Sequence, residues 1–188
     1  MKPFTLWFPV LLALLLSATV APAQSLPKCD GWLTTSSDGC LAMDYDRFKD
    51  TTTVAIRFLL VNRPNDGRNL ILMVLATSKG KPVAPLRADL IAVAFVSVRA
   101  DLTRQIAADR VLYVIADNER LRFDLDLMSS DYRDDLFSEQ LTGRISLDLL
   151  RRMAAATQLE MRLRSDELTF ESKQQANLRL YAQLFSEH

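Results

Sequence analysis

The sequence predicts an α+β fold built on a mostly antiparallel sheet or sandwich, and three observations support this prediction. Residues 53–76 contain two apolar runs with a two-residue period on either side of a Pro-Asn-Asp-Gly segment, which is the pattern of a β-hairpin. Only short turns separate most later apolar segments, so neighbouring strands should run antiparallel. Helical patterns occur late in the chain. We expect about seven to eight strands and two C-terminal helices. We also expect a disulfide to cross-link the looped N-terminal segment, residues 25–42, which we call the lead-in.

The hairpin of residues 53–76 is expected to form the interior of the sheet. Its alternating positions are apolar, and the intervening positions are largely apolar as well. Residues 90–98 share this property. Because a strand with two apolar faces must be covered on both sides, these segments belong at the centre of a sheet. A helical hairpin is the alternative, but the β-branched and aromatic content favours strands.

The later strands are expected nearer the edges of the sheet. Residues 111–116 and 121–127 are predicted to form a second hairpin, in which the second strand alternates apolar and charged side chains. Residues 159–163 alternate in the same way. Their charged side chains are interpreted as an exposed sheet surface, comprising Glu160, Arg162 and Arg164.

A polar segment, residues 129–139, is predicted to be the longest loop of the chain. Residues 140–145 follow it as a predicted short edge strand, with Gly143 marking a bulge or bend. Because the central strands should be buried, any functional site is expected in loops such as this one.

Two helices are predicted near the C-terminus. Ser146 is expected to be the N-cap of a helix that extends to about Thr157. Ser172 and Gln175 have the spacing of a capping box for a last helix, residues 173–185. The apolar stripe of this last helix is interpreted as core packing and comprises Ala176, Leu180, Tyr181 and Leu184.

The N-terminus has the pattern of a secretory signal peptide over residues 1–23. Lys2 precedes an apolar core at residues 7–16, and an Ala-Pro-Ala sequence ends at Ala23. We therefore expect bacterial export, cleavage after Ala23 and one mature domain, residues 24–188, that is periplasmic or secreted. An uncleaved membrane anchor is the alternative.

The two cysteines of the chain are Cys29 and Cys40. An isolated pair in an oxidising compartment is most simply one disulfide, so we expect this pair to staple the N-terminal lead-in. A redox-active pair is the alternative, but such pairs usually have two residues between the cysteines.

Charge composition argues against binding of polyanions. The chain has 23 Lys plus Arg and 23 Asp plus Glu, and removal of residues 1–23, which contain only Lys2, leaves 22 against 23. Binding of nucleic acid or of an anionic membrane needs a clustered excess of basic residues, which this chain lacks. We expect no nucleic-acid partner and no membrane span after cleavage of the signal peptide.

The residue types needed for common catalytic mechanisms are missing from the sequence. Its single histidine is His188, the last residue, and chain termini rarely hold catalytic geometry. No nucleophile elbow and no phosphate-binding glycine loop is present. We therefore predict no catalytic residue and no cofactor.

Aspartates provide the weak candidate polar site of the chain, Asp131, Asp134 and Asp135. With Asp124 and Asp126 they could supply oxygen ligands to calcium, but the EF-hand pattern is absent and we expect no metal. As carboxylates they could also serve a hydrolase, although no spacing singles out a catalytic pair.

These observations predict an exported, non-catalytic binding or interaction module. The expected partner is a protein or a small molecule of the cell envelope. Two alternatives are an extracytoplasmic hydrolase that uses the aspartates, and a carrier that holds an apolar ligand between the sheet and the helices. The hydrolase requires a concavity lined by at least two of the aspartates, and the carrier requires a large apolar cavity.

Overall fold

A computed structural model describes residues 25–30, 35–63, 68–99, 110–133 and 136–186. Within these ranges it confirms the predicted α+β fold, with ten strands in two antiparallel sheets and two helices near the C-terminus. In chain order the elements are β1 (Cys40–Asp46), β2 (Thr51–Arg63), β3 (Arg68–Lys79), β4 (Leu90–Arg99), β5 (Val111–Ala116), β6 (Glu119–Asp124), β7 (Asp126–Arg133), β8 (Leu136–Ile145), α1 (Leu147–Ala155), β9 (Leu159–Leu163), β10 (Asp166–Thr169) and α2 (Ser172–Ala182).

The larger sheet has six strands in the order β1-β2-β3-β4-β8-β7. Strands β2 and β3 pair as the predicted hairpin, and β4 pairs with β3, so the two-sided apolar strands lie inside the sheet as predicted. The predicted turn at residues 64–67 lies outside the described residues. One face of these strands is fully buried and includes Ile56 and Val74. The other face is covered in part, with Ala55 and Ala94 buried and Leu75 of β3 half-buried.

Arg57 is an exception to the apolar character of the central strands. It lies on the same face of β2 as Ala55, and 2% of its surface is exposed. Burial lowers the pKa of its guanidinium because the charged form loses hydration. The alternation of β2 alone gives no indication that a charged side chain would be buried here.

The smaller sheet has four strands in the order β10-β9-β5-β6. It contains the predicted second hairpin, β5–β6, which turns at Asp117 with a left-handed φ of 53°. The predicted strand over residues 121–127 is wrong at Leu125, where the chain passes from the smaller sheet to the larger one. Gly143 makes room for this crossing, since a Cβ atom there would lie 2.8 Å from Leu125 Cδ2.

The predicted polar loop at residues 129–139 is wrong, whereas the strand predicted at residues 140–145 is confirmed as part of β8 but does not lie at an edge. The described part of this segment forms β7 and β8, and β8 lies inside the sheet between β4 and β7. The sequence of β8 contains many polar residues because only alternate side chains face the core. Its position inside the sheet was therefore not predicted. Leu141 is buried opposite Phe95, and Glu139 is buried with an ion-pair partner described below.

The hydrophobic core lies between the inner faces of the two sheets and beneath the helices. Phe58 of β2 contacts Phe170 edge to face, with ring centroids 5.4 Å apart. Helix α2 packs against β2 and α1, and the Tyr181 hydroxyl donates a hydrogen bond to Val54 O at 3.0 Å. The smaller sheet therefore has one buried face and one face directed away from the core.

The helix boundaries confirm one predicted cap and correct the other. Leu149 N donates to Ser146 Oγ at 3.1 Å, which confirms Ser146 as the N-cap of α1. In α2 the N-cap is Glu171, whose N–H donates to Gln174 Oε1 at 2.8 Å, one residue before the predicted capping box. Of the predicted stripe only Tyr181 is buried, and α2 instead buries Gln174, Gln175, Asn177, Leu178, Tyr181 and Ala182.

The predicted disulfide is confirmed between Cys29 and Cys40, with Cα atoms 5.1 Å apart. It holds the lead-in along the outer edge of β1, where Cys29 N donates to Leu41 O at 2.9 Å and Leu41 N donates to Pro27 O at 2.7 Å. The predicted signal peptide, residues 1–23, and His188 lie outside the described residues. Among the helices that are described, none is long and apolar enough to cross a membrane.

Candidate functional site

The predicted aspartate site is only partly described. Asp131 is exposed on β7, at the edge of the larger sheet, whereas Asp134 and Asp135 lie outside the described residues. Asp124 is exposed and pairs with Arg122 at 3.0 Å. Across the described ranges, no group of three His, Cys, Asp or Glu side chains is arranged to hold a metal ion. The aspartate site therefore remains a prediction.

A buried ion pair joins the two sheets. Arg164 Nη1 donates to Glu139 Oε2 at 3.0 Å and Arg164 Nη2 donates to Glu139 Oε1 at 2.6 Å, and the two side chains are 13% and 4% exposed. The interpretation of Arg164 as part of an exposed sheet surface is therefore wrong, because it occupies the β9–β10 turn with a φ of 59° and its side chain lies between the sheets. The space beside this pair is about 10 Å³, enough for one water molecule.

The face of the smaller sheet that points away from the core, which we call the outer face, carries a regular array of polar side chains. Strand pairing aligns them in two rows across β6, β5, β9 and β10. In that strand order the first row is Arg122, Tyr113, Arg162 and Glu167, and the second row is Arg120, Ile115, Glu160 and Thr169.

The outer face is concave and encloses a volume of about 690 Å³. Tyr113 lies within it and is 37% exposed, and the guanidinium carbon of Arg162 lies 4.8 Å from the centre of its ring. This contact is a cation–π interaction, and it holds the long Arg162 side chain over the ring. The predicted exposure is confirmed for Arg162, whereas Glu160 lies on the same face but is half-buried.

Charged groups of both signs surround Tyr113. Glu160 Oε1 accepts a hydrogen bond from Gln158 Nε2. Arg120 also lines the concavity, and no ion pair or side-chain hydrogen bond joins it to another residue in the described part of the chain. A cation whose charge is not neutralised can contact a ligand without first breaking an internal ion pair.

Sequence reasoning missed Tyr113. The signal that indicates its position is alternation: Leu112 and Val114 are the apolar inward positions of β5, so the aromatic side chain of Tyr113 between them faces outward. Its contact with Arg162 depends on the pairing of β5 with β9, which is distant along the chain. Its position opposite Arg122 depends on pairing with the neighbouring strand β6.

Comparisons of this chain with protein-family models, curated proteins and solved structures find no match. The function must therefore be argued from the shape of the outer face and from the chemistry of its side chains.

Proposed function

We propose that the protein is an exported, non-catalytic interaction module that binds a protein partner of the cell envelope through the outer face. The observation that carries the proposal is Arg162 stacked on Tyr113 within an open concavity of about 690 Å³. Tyrosine and arginine are among the residues that contribute most to binding energy at protein interfaces. Because Arg162 is already held against the ring, less side-chain entropy is lost when a partner contacts it.

The charge pattern of the outer face supports a protein partner over a polyanion. Its two rows contain three arginines and two glutamates, so charges of both signs are present instead of a continuous basic patch. A surface of mixed sign selects a partner with the complementary pattern, whereas nucleic acid or an anionic membrane is attracted by a continuous excess of positive charge.

The disulfide supports the cellular location in this proposal. Disulfides persist in oxidising compartments, and the bond between Cys29 and Cys40 is suited to an extracytoplasmic environment. Together with the signal-peptide pattern of residues 1–23, this leads us to propose export to the periplasm or the medium.

The two alternative functions have weaker support. A hydrolase needs at least two carboxylates in one concavity, and Asp131, the described member of the candidate set, is exposed on β7. A carrier of apolar molecules needs a cavity of roughly 300 Å³ or more, whereas the described space between the sheets beside Glu139 is about 10 Å³.

Affinity capture from envelope extracts of the source bacterium tests the proposal. Immobilised mature protein is compared with the double variant Tyr113→Ala, Arg162→Ala, and with the control Met128→Ser, which changes an exposed side chain of β7 in the other sheet. We expect the double variant to capture about tenfold less of the partner and the control to capture an unchanged amount. Equal capture by all three proteins would contradict binding through the outer face.

A further inference from the structure

We propose that the partner contributes an extended segment that pairs with the free edge of β10 as a fifth strand of the smaller sheet, with a lysine or arginine opposite Glu167. The inference rests on the proposed function and deepens it by naming the form of the partner. It is carried by the geometry of the β10 edge, by the groove beside that edge and by the charge of the groove.

The backbone of β10 has hydrogen-bonding groups directed away from its neighbour. Strand β10 pairs with β9, and in the described part of the chain no strand lies on its other side. Phe170 N donates to Leu159 O at 2.9 Å, and Leu168 lies opposite Met161. Because peptide groups alternate in direction along an antiparallel strand, those of Glu167 and Thr169 point away from β9.

A groove of about 370 Å³ follows this free edge. Strand β10 forms one wall, and the other wall includes Val61 and Asn62 near the end of β2 and Gln174 at the start of α2. Strand β1 pairs with β2 only as far as Arg57, and beyond that point Leu59 N donates to Ser36 O at 2.9 Å, so the end of β2 from Leu60 onward extends past these partners. The groove therefore provides space for a polypeptide chain beside unpaired main-chain groups.

The chain covers the corresponding edge of its other sheet. At β1, residues 27–29 form main-chain hydrogen bonds with Leu41, and the disulfide holds them in place. Proteins commonly cover exposed strand edges because such edges pair readily with other chains. The edge of β10 has no such covering strand within the described ranges, which leaves it available to another polypeptide.

The groove is acidic. Among the described residues that line it, the charged ones are Glu167 and Glu171, and none is a lysine or arginine. A strand beside β10 would place one residue directly opposite Glu167 and continue the first row of the outer face. Opposite charges at directly opposed positions stabilise strand pairing, so a lysine or arginine is the complementary residue there.

Photo-cross-linking in the source bacterium tests both proposals and separates them. Benzoylphenylalanine is placed at Thr169 for the β10 edge, at Ile115 for the outer face, and at Met128 as the control. We expect positions 169 and 115 to cross-link to one partner, position 128 to give no cross-link, and the segment joined to position 169 to contain lysine or arginine within about two residues.

Each other result has a defined meaning. A cross-link from position 115 without one from position 169 overturns strand addition and leaves the proposed function standing. Cross-links from neither position overturn both proposals. A cross-link from position 169 to this chain itself shows that a second copy or another segment of the chain occupies the edge, and also overturns the inference.

Proline substitution tests the main-chain pairing directly. The N–H of Thr169 points away from β9, so Thr169→Pro removes a group available to the partner and retains the β9–β10 hydrogen bonds. We expect capture to fall about tenfold in Thr169→Pro and to fall clearly less in Thr169→Ala, which removes the side chain but keeps the main-chain N–H, with circular dichroism verifying the fold. Unchanged capture by the proline variant overturns the inference.

A charge exchange provides an independent test if the proline variant fails to fold. Glu167→Lys should weaken binding of a synthetic peptide copied from the cross-linked segment by about tenfold. Replacement of the basic residue in that peptide by glutamate should restore binding to the Glu167→Lys variant. Equal affinity of both peptides for both proteins overturns the predicted register.

Discussion

At the scale of single residues, the Glu139–Arg164 pair shows how a buried charge joins the two sheets. The guanidinium makes two hydrogen bonds to the carboxylate, which is 4% exposed. Such bidentate geometry lets each charge offset the other where little water is available. Loss of one partner would leave the other charge buried and unpaired, which costs more than the pair itself contributes.

We predict that Arg164→Ala lowers the free energy of unfolding by about 3 kcal/mol, because Glu139 would remain buried without its cation. Urea denaturation measures the change. The matched control is Arg122→Ala, which removes an exposed pair with Asp124 and should cost less than about 1 kcal/mol. Similar losses in the two variants would show that Glu139 is not held as a buried ion.

Tyr181 gives the fold a pH dependence in the alkaline range. Burial raises the pKa of its phenol above the ordinary value of 10.0, since the phenolate would lose its hydration. The unfolded chain ionises near the ordinary value. The contribution of Tyr181 to stability is therefore fully present below pH 10 and is lost as the pH rises further.

We predict that Tyr181→Phe is about 1 kcal/mol less stable than the natural protein at pH 8, because Val54 O loses its hydrogen-bond donor. At pH 11 the natural protein should have lost about 1.4 kcal/mol through Tyr181, so the two proteins should then be about equally stable. Denaturation curves at both pH values test this. A difference between the proteins that is independent of pH would contradict the burial of the neutral phenol.

At the scale of elements, the two helices are joined by side chains that cap one helix end. Gln175 Nε2 donates to Met153 O at 3.0 Å and to Ala156 O at 2.8 Å, and Arg179 Nε donates to Ala154 O at 3.0 Å. These carbonyls lie at the C-terminus of α1, where no further turn of helix supplies donors. Helix α2 therefore stabilises the end of α1 as well as covering the core.

We predict that Gln175→Ala lowers the free energy of unfolding by about 2 kcal/mol, because it removes two hydrogen bonds to buried carbonyls. The control is Ser172→Ala, which should change stability by less than about 0.5 kcal/mol because Glu171 is the N-cap. Urea denaturation distinguishes the two variants. A larger loss in the serine variant would restore the capping box predicted from the sequence.

The disulfide acts on one edge of the larger sheet by holding the lead-in against β1. We predict that the double variant Cys29→Ser, Cys40→Ser is about 2–3 kcal/mol less stable, because the unfolded chain gains the entropy that the closed loop removes. Thermal and urea denaturation measure the loss. The natural protein should become equally unstable after reduction and alkylation, and no change on reduction would contradict the stapling role.

At the scale of the whole molecule, local patterns predicted the pairing of neighbouring strands. The two-residue period identified the β2–β3 hairpin, β4 and the β5–β6 hairpin, because each depends on residues close together in the chain. The division into two sheets depends on the crossing at Leu125 and on Gly143, which are not apparent from local patterns.

The candidate site was less predictable than the fold. The outward direction of Glu160 and Arg162 follows from alternation, but their significance depends on Tyr113, which is brought beside them by pairing between distant strands. The buried Glu139 was hidden for the same reason, since its partner Arg164 lies in the turn that joins β9 and β10 of the other sheet. A polar residue can be assigned to the interior of the fold only when the partner that satisfies it is known.

The proposed partner surface belongs to the smaller sheet as a whole. Its outer face carries the Tyr113–Arg162 contact, and its β10 edge borders the acidic groove, so one partner can meet both features of this sheet. The opposite face of the same sheet packs in the core. Binding should therefore leave the larger sheet unchanged except at the end of β2 that lines the groove.

Amide hydrogen exchange of the protein with and without its captured partner tests binding through the smaller sheet most directly. We expect exchange to slow by at least about tenfold at Glu167 and Thr169 and to slow in β5 and β9, with no change in β7 and β8, which line neither the outer face nor the groove. Protection confined to the larger sheet, or unchanged exchange throughout β5, β9 and β10, would contradict it.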